Sequence, residues 1–274
     1  MKKYLLSACA IALLFVSCTE TVDVDLNDAP ARLVIEASLD WEKGTTGANQ
    51  TILLSTSTEY FNETRFNPAL GATVQVTKQN SGTVFSFADQ GNGSYTINDF
   101  EPEIGATYVL EVLFDGKTYR AEETLLAVPE IDRVEQSTEG GFDSDAIDVR
   151  FYFTDPEGEN YYLAKYVATD NPVPTLETRD VEFSEGNELY FQFEPDDDNE
   201  LQPGDVIDFN LHGISERYYN YMSLLTEQAE GGVGPFQTTP VPLKGNCINI
   251  NDNSDNALGY FRVTELSTTS YTVE

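Results

Sequence analysis

The sequence has 274 residues, 40% of them hydrophobic and 12% aromatic, with 47 acidic against 15 basic side chains and a formal net charge of -32 at pH 7. Such an apolar share can fill real cores, so the chain is not a disordered acidic tail. Binding to phosphate backbones needs clustered Lys and Arg that release counterions; none is present, which excludes nucleic acid as a partner and favours solubility and attraction of cations or basic partners.

Lys2 and Lys3 precede an apolar run, Tyr4 to Val16, that fits the core of a secretory leader and is too short to cross a bilayer as a helix. The run ends in Leu14-Phe15-Val16-Ser17-Cys18, which resembles the lipobox of bacterial lipoproteins, with Phe15 where Leu is usual. The resemblance implies cleavage before Cys18 and acyl chains on that cysteine, so residues 1–17 read as a lipoprotein signal peptide. Each buried methylene adds about 0.8 kcal/mol of membrane affinity, which makes the expected protein anchored, not spanning. Losing Lys2 and Lys3 takes the net charge from -32 to -34. Glu20, Asp23, Asp25 and Asp28 lie close behind Cys18 and resemble the export signal of lipoproteins displayed on the outer face of outer membranes. Residues 18–31 read as an acidic tether. Cys9 leaves with the leader and Cys18 is the lipid site, which leaves Cys247 alone beside Ile248 as a small buried hydrophobe.

Residues 32–127 alternate with period two in short runs separated by turn residues, the spacing of a β-sandwich. Strands are expected at Leu33–Leu39, Thr51–Ser57, Ala72–Thr77, Thr83–Phe87, Ser94–Phe100, Thr107–Phe114 and Lys117–Thr124. The last two flank Asp115-Gly116, a two-residue hairpin turn that needs positive φ at both positions. The pattern predicts an immunoglobulin-like or transthyretin-like sandwich.

Ala127-Val128-Pro129 marks a boundary, because proline ends a ladder and restricts the residue before it. Residues 128–274 read as a second β-sandwich-like domain containing one helix. Alternation at Ile147–Thr154, followed by Asp155-Pro156-Glu157-Gly158 and Tyr161–Thr169, predicts a hairpin. Leu189–Phe193 and Ile207–Leu211 supply further inward faces. Ser215 reads as the N-cap of a helix running to about Glu230, with Tyr218, Met222, Leu225 and Ala229 on one stripe and Gly231-Gly232 ending it. Ala257–Val263 closes the fold as a strand. The class is therefore mainly β, in two sandwich-like domains, the second carrying one helix.

The ordered set Leu33-Val34-Ile35-Glu36, Gly71-Ala72-Thr73-Val74, Gly93-Ser94-Tyr95, Gly105-Ala106-Thr107-Tyr108, Val128-Pro129-Glu130-Ile131-Asp132, Gly234-Pro235-Phe236, Gly245-Asn246 and Ala257-Leu258-Gly259-Tyr260-Phe261 resembles the lipoproteins grouped as domain of unknown function 4249. That family resembles outer-membrane lipoproteins encoded beside TonB-dependent transporters. The resemblance implies a non-enzymatic, surface-exposed lipoprotein acting as accessory or ligand-capture partner of such a transporter in nutrient uptake. The alternatives are a glycan-binding or adhesive surface lipoprotein and a degradative surface hydrolase. The family has no established catalytic residues to carry over.

The residues offer little catalytic chemistry. His212 is the one histidine, and as a strand-end residue before Gly213 it reads as a solvated structural side chain. Calcium, which takes six to eight oxygen ligands, has weak candidates in Asp196, Asp198, Asp252 and Asp255, but neither acidic stretch is an EF-hand and both read as solvated loops. No other cofactor is expected. The tyrosines at 161, 162, 218, 219 and 221 could stack on sugar rings, yet their positions favour packing. The irregular stretch from Gly231 to Phe261 has prolines at 235, 240 and 242 that forbid regular ladders, so it is the expected contact surface, with Pro235, Phe236 and Tyr260 as contact residues.

Overall fold

The computed structural model describes residues 30–58, 66–138, 147–169, 171–182, 184–193, 200–230 and 241–274. The leader, the tether up to residue 29 with Cys18, the contact candidates Pro235 and Phe236, and the calcium candidates Asp196 and Asp198 lie outside the described residues.

The first half is built from β1 (Leu33–Glu42), β2 (Gln50–Thr56), β3 (Asn67–Pro68), β4 (Thr73–Lys78), β5 (Thr83–Asp89), β6 (Ser94–Ile97), β7 (Thr107–Phe114) and β8 (Lys117–Thr124). Their alternation is that of half-buried strands: Leu33, Ile35, Ala37 and Leu39 point inward while Glu36 and Ser38 point out. β7 and β8 pair as a hairpin across Asp115 (φ 49°) and Gly116 (φ 73°), the geometry that Asp-Gly predicts. β6 stops at Ile97, short of the expected Phe100; Asn98 and Asp99 turn the chain, and Phe100 enters the core from outside the ladder.

The second half contributes β9 (Arg133–Ser137), β10 (Asp148–Thr154), β11 (Tyr161–Ala168), β12 (Asn171–Asp180), β13 (Glu188–Phe193), β14 (Val206–Ile214), the helix α1 (Glu216–Glu230), β15 (Ile248–Asn249) and β16 (Leu258–Thr272). The expected hairpin of β10 with β11 does not form. β10 pairs with β9 and β13 in a three-stranded sheet, whereas β11 pairs with β12 and β14 in the large sheet. The Asp155–Asn160 stretch is thus an arch between two layers. Both strands point aromatic rings into the space between them, where Phe153 and Tyr162 are buried and meet edge to face at 5.0 Å.

The hydrogen-bonded order of the large sheet is β12-β11-β14-β16-β1-β2-β6-β5-β4-β7-β8-β15, with β3 on β2. β5 pairs with both β6 and β4, so the ladder doubles back there and encloses the first core. The three-stranded sheet lies over the other arm and encloses the second core, which Phe151, Phe191, Phe209, Tyr162 and Tyr166 dominate.

β16 joins the two cores. It is much longer than the expected Ala257–Val263: Leu258 to Leu266 runs parallel to β1, and Leu266 to Thr272 runs antiparallel to β14. Its Phe261 and Val263 belong to the first core together with Cys247 and Ala257. Residues 31–274 form one compact unit. At its start, Gly259 (φ +85°) presses so closely on β1 that a Cβ there would stand 2.2 Å from the Ile35 carbonyl oxygen.

Candidate functional site

The helix forms where Ser215 ends β14, and the Ser215 hydroxyl accepts the Tyr218 backbone N–H at 3.2 Å as an N-cap. Tyr218 and Met222 pack on Leu163, Ile214 and Tyr260, fastening α1 to the outer face of the large sheet. The neighbouring helical row, Arg217, Asn220, Tyr221 and Leu224, is left facing the segment 241–246, and a pocket of about 380 Å³ opens between them. The segment is held to β16 by mimicry of a strand pair: Asn246 donates through Nδ2 to the Phe261 carbonyl at 2.7 Å, and its Oδ1 accepts the Phe261 N–H at 2.8 Å. Gly245 crosses so close to Gly259 that no side chain fits between them. Cys247 is buried beneath, as its apolar neighbour predicts, and burial pushes its thiol up to about 12.

Tyr260 forms the inner wall. It is only 7% exposed, with its ring 4.8 Å from Tyr218 and 4.9 Å from Tyr221, so what it offers to a ligand is an edge and not a projecting anchor. Its hydroxyl donates to Glu123 Oε2 at 3.2 Å, and Arg217 Nη2 stands 3.7 Å from the same oxygen while donating to the Glu122 carbonyl at 2.5 Å. Burial raises the Glu123 carboxyl above its ordinary range, opposed by Arg217 and by hydrogen bonds from Ser215, Thr124 and Tyr260. Burial likewise pushes the Tyr260 hydroxyl far up. The sequence reading missed Glu123, although the signal is present: it continues the inward positions Tyr119 and Ala121 of β8, where a carboxylate has no reason to stand unless it is partnered.

Beside this wall, on the same outer face of the sheet, Arg262 gathers a second polar cluster. It donates through Nε to Ser38 at 3.0 Å and through Nη2 to Asp40 at 2.9 Å, and Nη1 lies 3.3 Å from His212 Nδ1. The expectation of a solvated His212 is corrected here: the side chain is 3% exposed, because Arg262 covers the strand face that the sequence left open. Since Arg only donates, His212 Nδ1 accepts and the proton sits on Nε2, which has no partner among the described residues. Burial, then the charges of Arg262 and Lys165, hold its pKa well below the usual value.

The remaining candidates are spread out. Asp252 accepts the backbone and hydroxyl of Ser254, and Asp255 accepts Lys117 Nζ at 2.7 Å, so the two carboxylates are turned to separate partners in a loop. Among the described residues no three His, Cys, Asp or Glu side chains are grouped as a metal ion requires. Of the tyrosines, Tyr162 and Tyr218 are buried, Tyr161 pairs with Tyr219 at 5.3 Å, and Tyr221 lines the pocket. Among the described residues no helix is long and apolar enough to cross a membrane.

Solved structures similar to this chain include the FN1–FN3 domains of chicken CNTN1, at 11% identity and a TM-score of 0.26, covering 66% of this chain and 58% of that one. A cytokine receptor complex matches at 10% identity and a TM-score of 0.25, covering 68% and 86%, and a tetra-tandem repeat from the extending region of a large adhesion protein matches at 10% and 0.23, covering 89% and 49%. The chain thus spans little more than half the length of the first of these and about half of the third. No curated protein matches the chain. The family model described as "Domain of unknown function (DUF4249)" matches residues 19–270, which take in almost all of the sequence after Cys18, and the chain belongs to that family.

Proposed function

We propose that this protein is a non-catalytic binding protein, held by acyl chains on Cys18 at the outer membrane and facing the cell exterior, and that the pocket between α1 and residues 241–246 takes up a partner or its cargo. The observation that carries the reading is the pocket itself: an aromatic and aliphatic wall of Tyr221, Leu224, Val241 and Leu243, with Arg217 and Lys244 at its rim. In a chain with 47 acidic residues the exposed Lys244, with Arg217 beside it already facing Glu123, gives an incoming anionic group a local welcome. The sequence resemblance to lipoproteins encoded beside TonB-dependent transporters makes such a transporter, or the nutrient it imports, the partner. Detergent extraction of outer membranes should co-purify a barrel transporter with the wild-type protein. Leu224→Asp, 44% exposed in the wild type, should lose that partner with an unchanged melting temperature. A retained partner would overturn the assignment of the pocket, and a wild-type preparation without any barrel protein would overturn the choice of partner.

A glycan-binding role is the second reading, favoured by the Tyr221 ring beside the exposed Asn220 amide, a pairing that suits a sugar ring. Calorimetric titration with neutral oligosaccharides in the absence of a transporter separates the two: heat that disappears in Tyr221→Ala supports the glycan, and no heat removes it.

A further inference from the structure

We infer that the end of the first sandwich at which the chain enters the fold is a lipid-contacting face, where Phe66, Leu70, Leu113 and Ile250 meet a bilayer. The inference rests on the anchoring at Cys18 proposed above and adds which surface that anchor brings to the membrane.

Strand register fixes the end in question. β1 begins at Leu33, which pairs with Thr56 at the close of β2, and Val34 pairs with Leu258 at the opening of β16. Thr56 pairs with Asn67 in β3, and Leu53 pairs with Ser94 at the start of β6, which places the turn before Ser94 at the same end. Val74 at the start of β4 pairs with Phe87 near the end of β5, and Thr73 pairs with Leu113 near the end of β7. The Asp115-Gly116 turn therefore belongs to this end, as does Ile250, whose N–H donates to the Thr118 carbonyl at 2.9 Å.

The side chains gathered there are unusually apolar for a surface. Ile250 is 57% exposed, Leu70 51%, Leu113 48%, Ile248 47% and Phe66 44%. Leu113 pairs with Thr118, and Ile250 lies opposite Thr118 on the other side, so the two flank it on one outer face about 10 Å apart at ordinary strand spacing. The opposite end of the same sandwich offers Val84 and Ile104 among the described residues. Scattered exposed hydrophobics are ordinary, but a cluster at one end marks a contact surface.

The length of the chain outside the fold says what covers it. Thirteen residues lead from Cys18 to Ala31, and even fully extended they reach at most about 45 Å. A ten-residue strand such as β1 is about 33 Å long, so an acylated Cys18 attaches at this end and keeps it within tether reach of the lipid, with the far end a further strand length from the attachment point. Charge supplies no attraction. Lys117 is paired with Asp255 at 2.7 Å, the Arg32 guanidinium donates to the Asn256 carbonyl, and Asp89, Asp115 and Asp252 stand on the same end. The contact is therefore apolar and needs neither anionic headgroups nor low salt.

The test couples the chain from Cys18 onward, through the Cys18 thiol, to a maleimide lipid in phosphatidylcholine vesicles; Cys247 is buried and does not compete. In a Trp41→Phe background the only tryptophan is placed by Leu113→Trp, by Ile250→Trp or, at the opposite end, by Val84→Trp. Flotation with the vesicles and a cooperative melt show that each variant is attached and folded. With chain-brominated lipids the tryptophans at 113 and 250 should each lose about half of their emission, unchanged in high salt, and that at 84 almost none. Equal emission from all three, or quenching at 84 to the same extent, overturns the inference; should one of the two near variants fail to fold, the other decides. Chemical coupling supplies the anchor whatever the cell does, so an unacylated Cys18 in cells would overturn the proposed localisation and leave this result standing.

Discussion

The two cores of the molecule each bury seven aromatic side chains among the described residues and finish their tyrosines differently. In the first core the Tyr95 hydroxyl donates to the Ala69 carbonyl at 2.8 Å, with the exposed Asp89 Oδ2 at 3.4 Å, and accepts the Ala72 N–H at 3.0 Å, while that of Tyr108 donates to the Glu101 carbonyl at 3.0 Å and accepts the Glu103 N–H at 2.9 Å. In the second, Tyr162 donates to Asp155 Oδ1 at 2.7 Å and Tyr166 to Glu177 Oε2 at 3.4 Å. A carbonyl partner comes with the backbone at no cost in charge, whereas a carboxylate partner brings an ionisable group toward the interior. The tyrosines of the first core are thus held chiefly by backbone groups, and Tyr162 of the second by a carboxylate buried with it, whose pKa burial raises.

The largest effect is expected where the two cores share β16. Gly259→Ala adds a methyl against the Ile35 carbonyl at positive φ, and it should cost about 4 kcal/mol or prevent folding, as read by denaturant unfolding. Both cores should melt together in that variant, because β16 serves both. Next, Phe209→Ala removes a ring stacked on Phe151 at 4.2 Å and should cost about 3–5 kcal/mol, against about 2–5 kcal/mol for Leu54→Ala in the first core. The comparison sharpens with Tyr162→Phe, which leaves the buried Asp155 carboxylate short of a donor and should cost about 1–3 kcal/mol. Tyr95→Phe, which takes the hydroxyl from the Ala69 carbonyl and the Ala72 N–H but strands no buried carboxylate, should cost less, about 1 kcal/mol.

The smallest effects are pH slopes on the outer face of the sheet, and they have opposite signs. Glu123 has a raised carboxyl, so the folded state binds its proton more readily than the unfolded chain does; its contribution is full below the ordinary carboxylate range and is lost as pH rises through the folded value. His212 has a depressed pKa, so the unfolded chain takes up the proton first and stability is lost as pH falls below the usual 6.5. Melting curves between pH 7 and pH 5 should show His212→Asn holding its stability better than the wild type, and Glu123→Gln losing the gain on acidification that the wild type draws from that carboxyl. Parallel curves for wild type and both variants would mean that neither group is coupled to folding.

The first half of the fold was legible because its strands alternate and their turns are chemically explicit, as at Asp115-Gly116. β12 was not anticipated, since Pro172 and Pro174 interrupt its alternation; the strand lies at the edge of the sheet, where its ladder to β11 slips between Tyr166 and Ala168. β9 was missed because Arg133–Ser137 has Val134 as its only apolar residue, and its pairing with β10 supplies what propensity does not. The arch at Asp155 looked like a hairpin because a turn signal fixes where a chain reverses but not whether it returns to the same sheet. Of the pocket, Tyr260 and the 241–246 segment were visible as an irregular stretch. Of the helical row that faces them only Tyr221 was singled out, because Tyr218 and Met222 drew attention to the buried stripe.

The parallel pairing of β1 with β16 also decides how the molecule bears a load. Nine residues of β1, Val34 to Glu42, lie in register with Leu258 to Leu266. A pull along the chain from its N-terminal side, with the second half of the fold held, draws β1 lengthwise past β16 and strains those ladder hydrogen bonds in shear, all together. It cannot peel them one at a time as it would from the open end of a hairpin. A body tethered by its N-terminus and gripped at its other half is thereby wired for tension, with the first strand and the last acting as a single tendon through both cores.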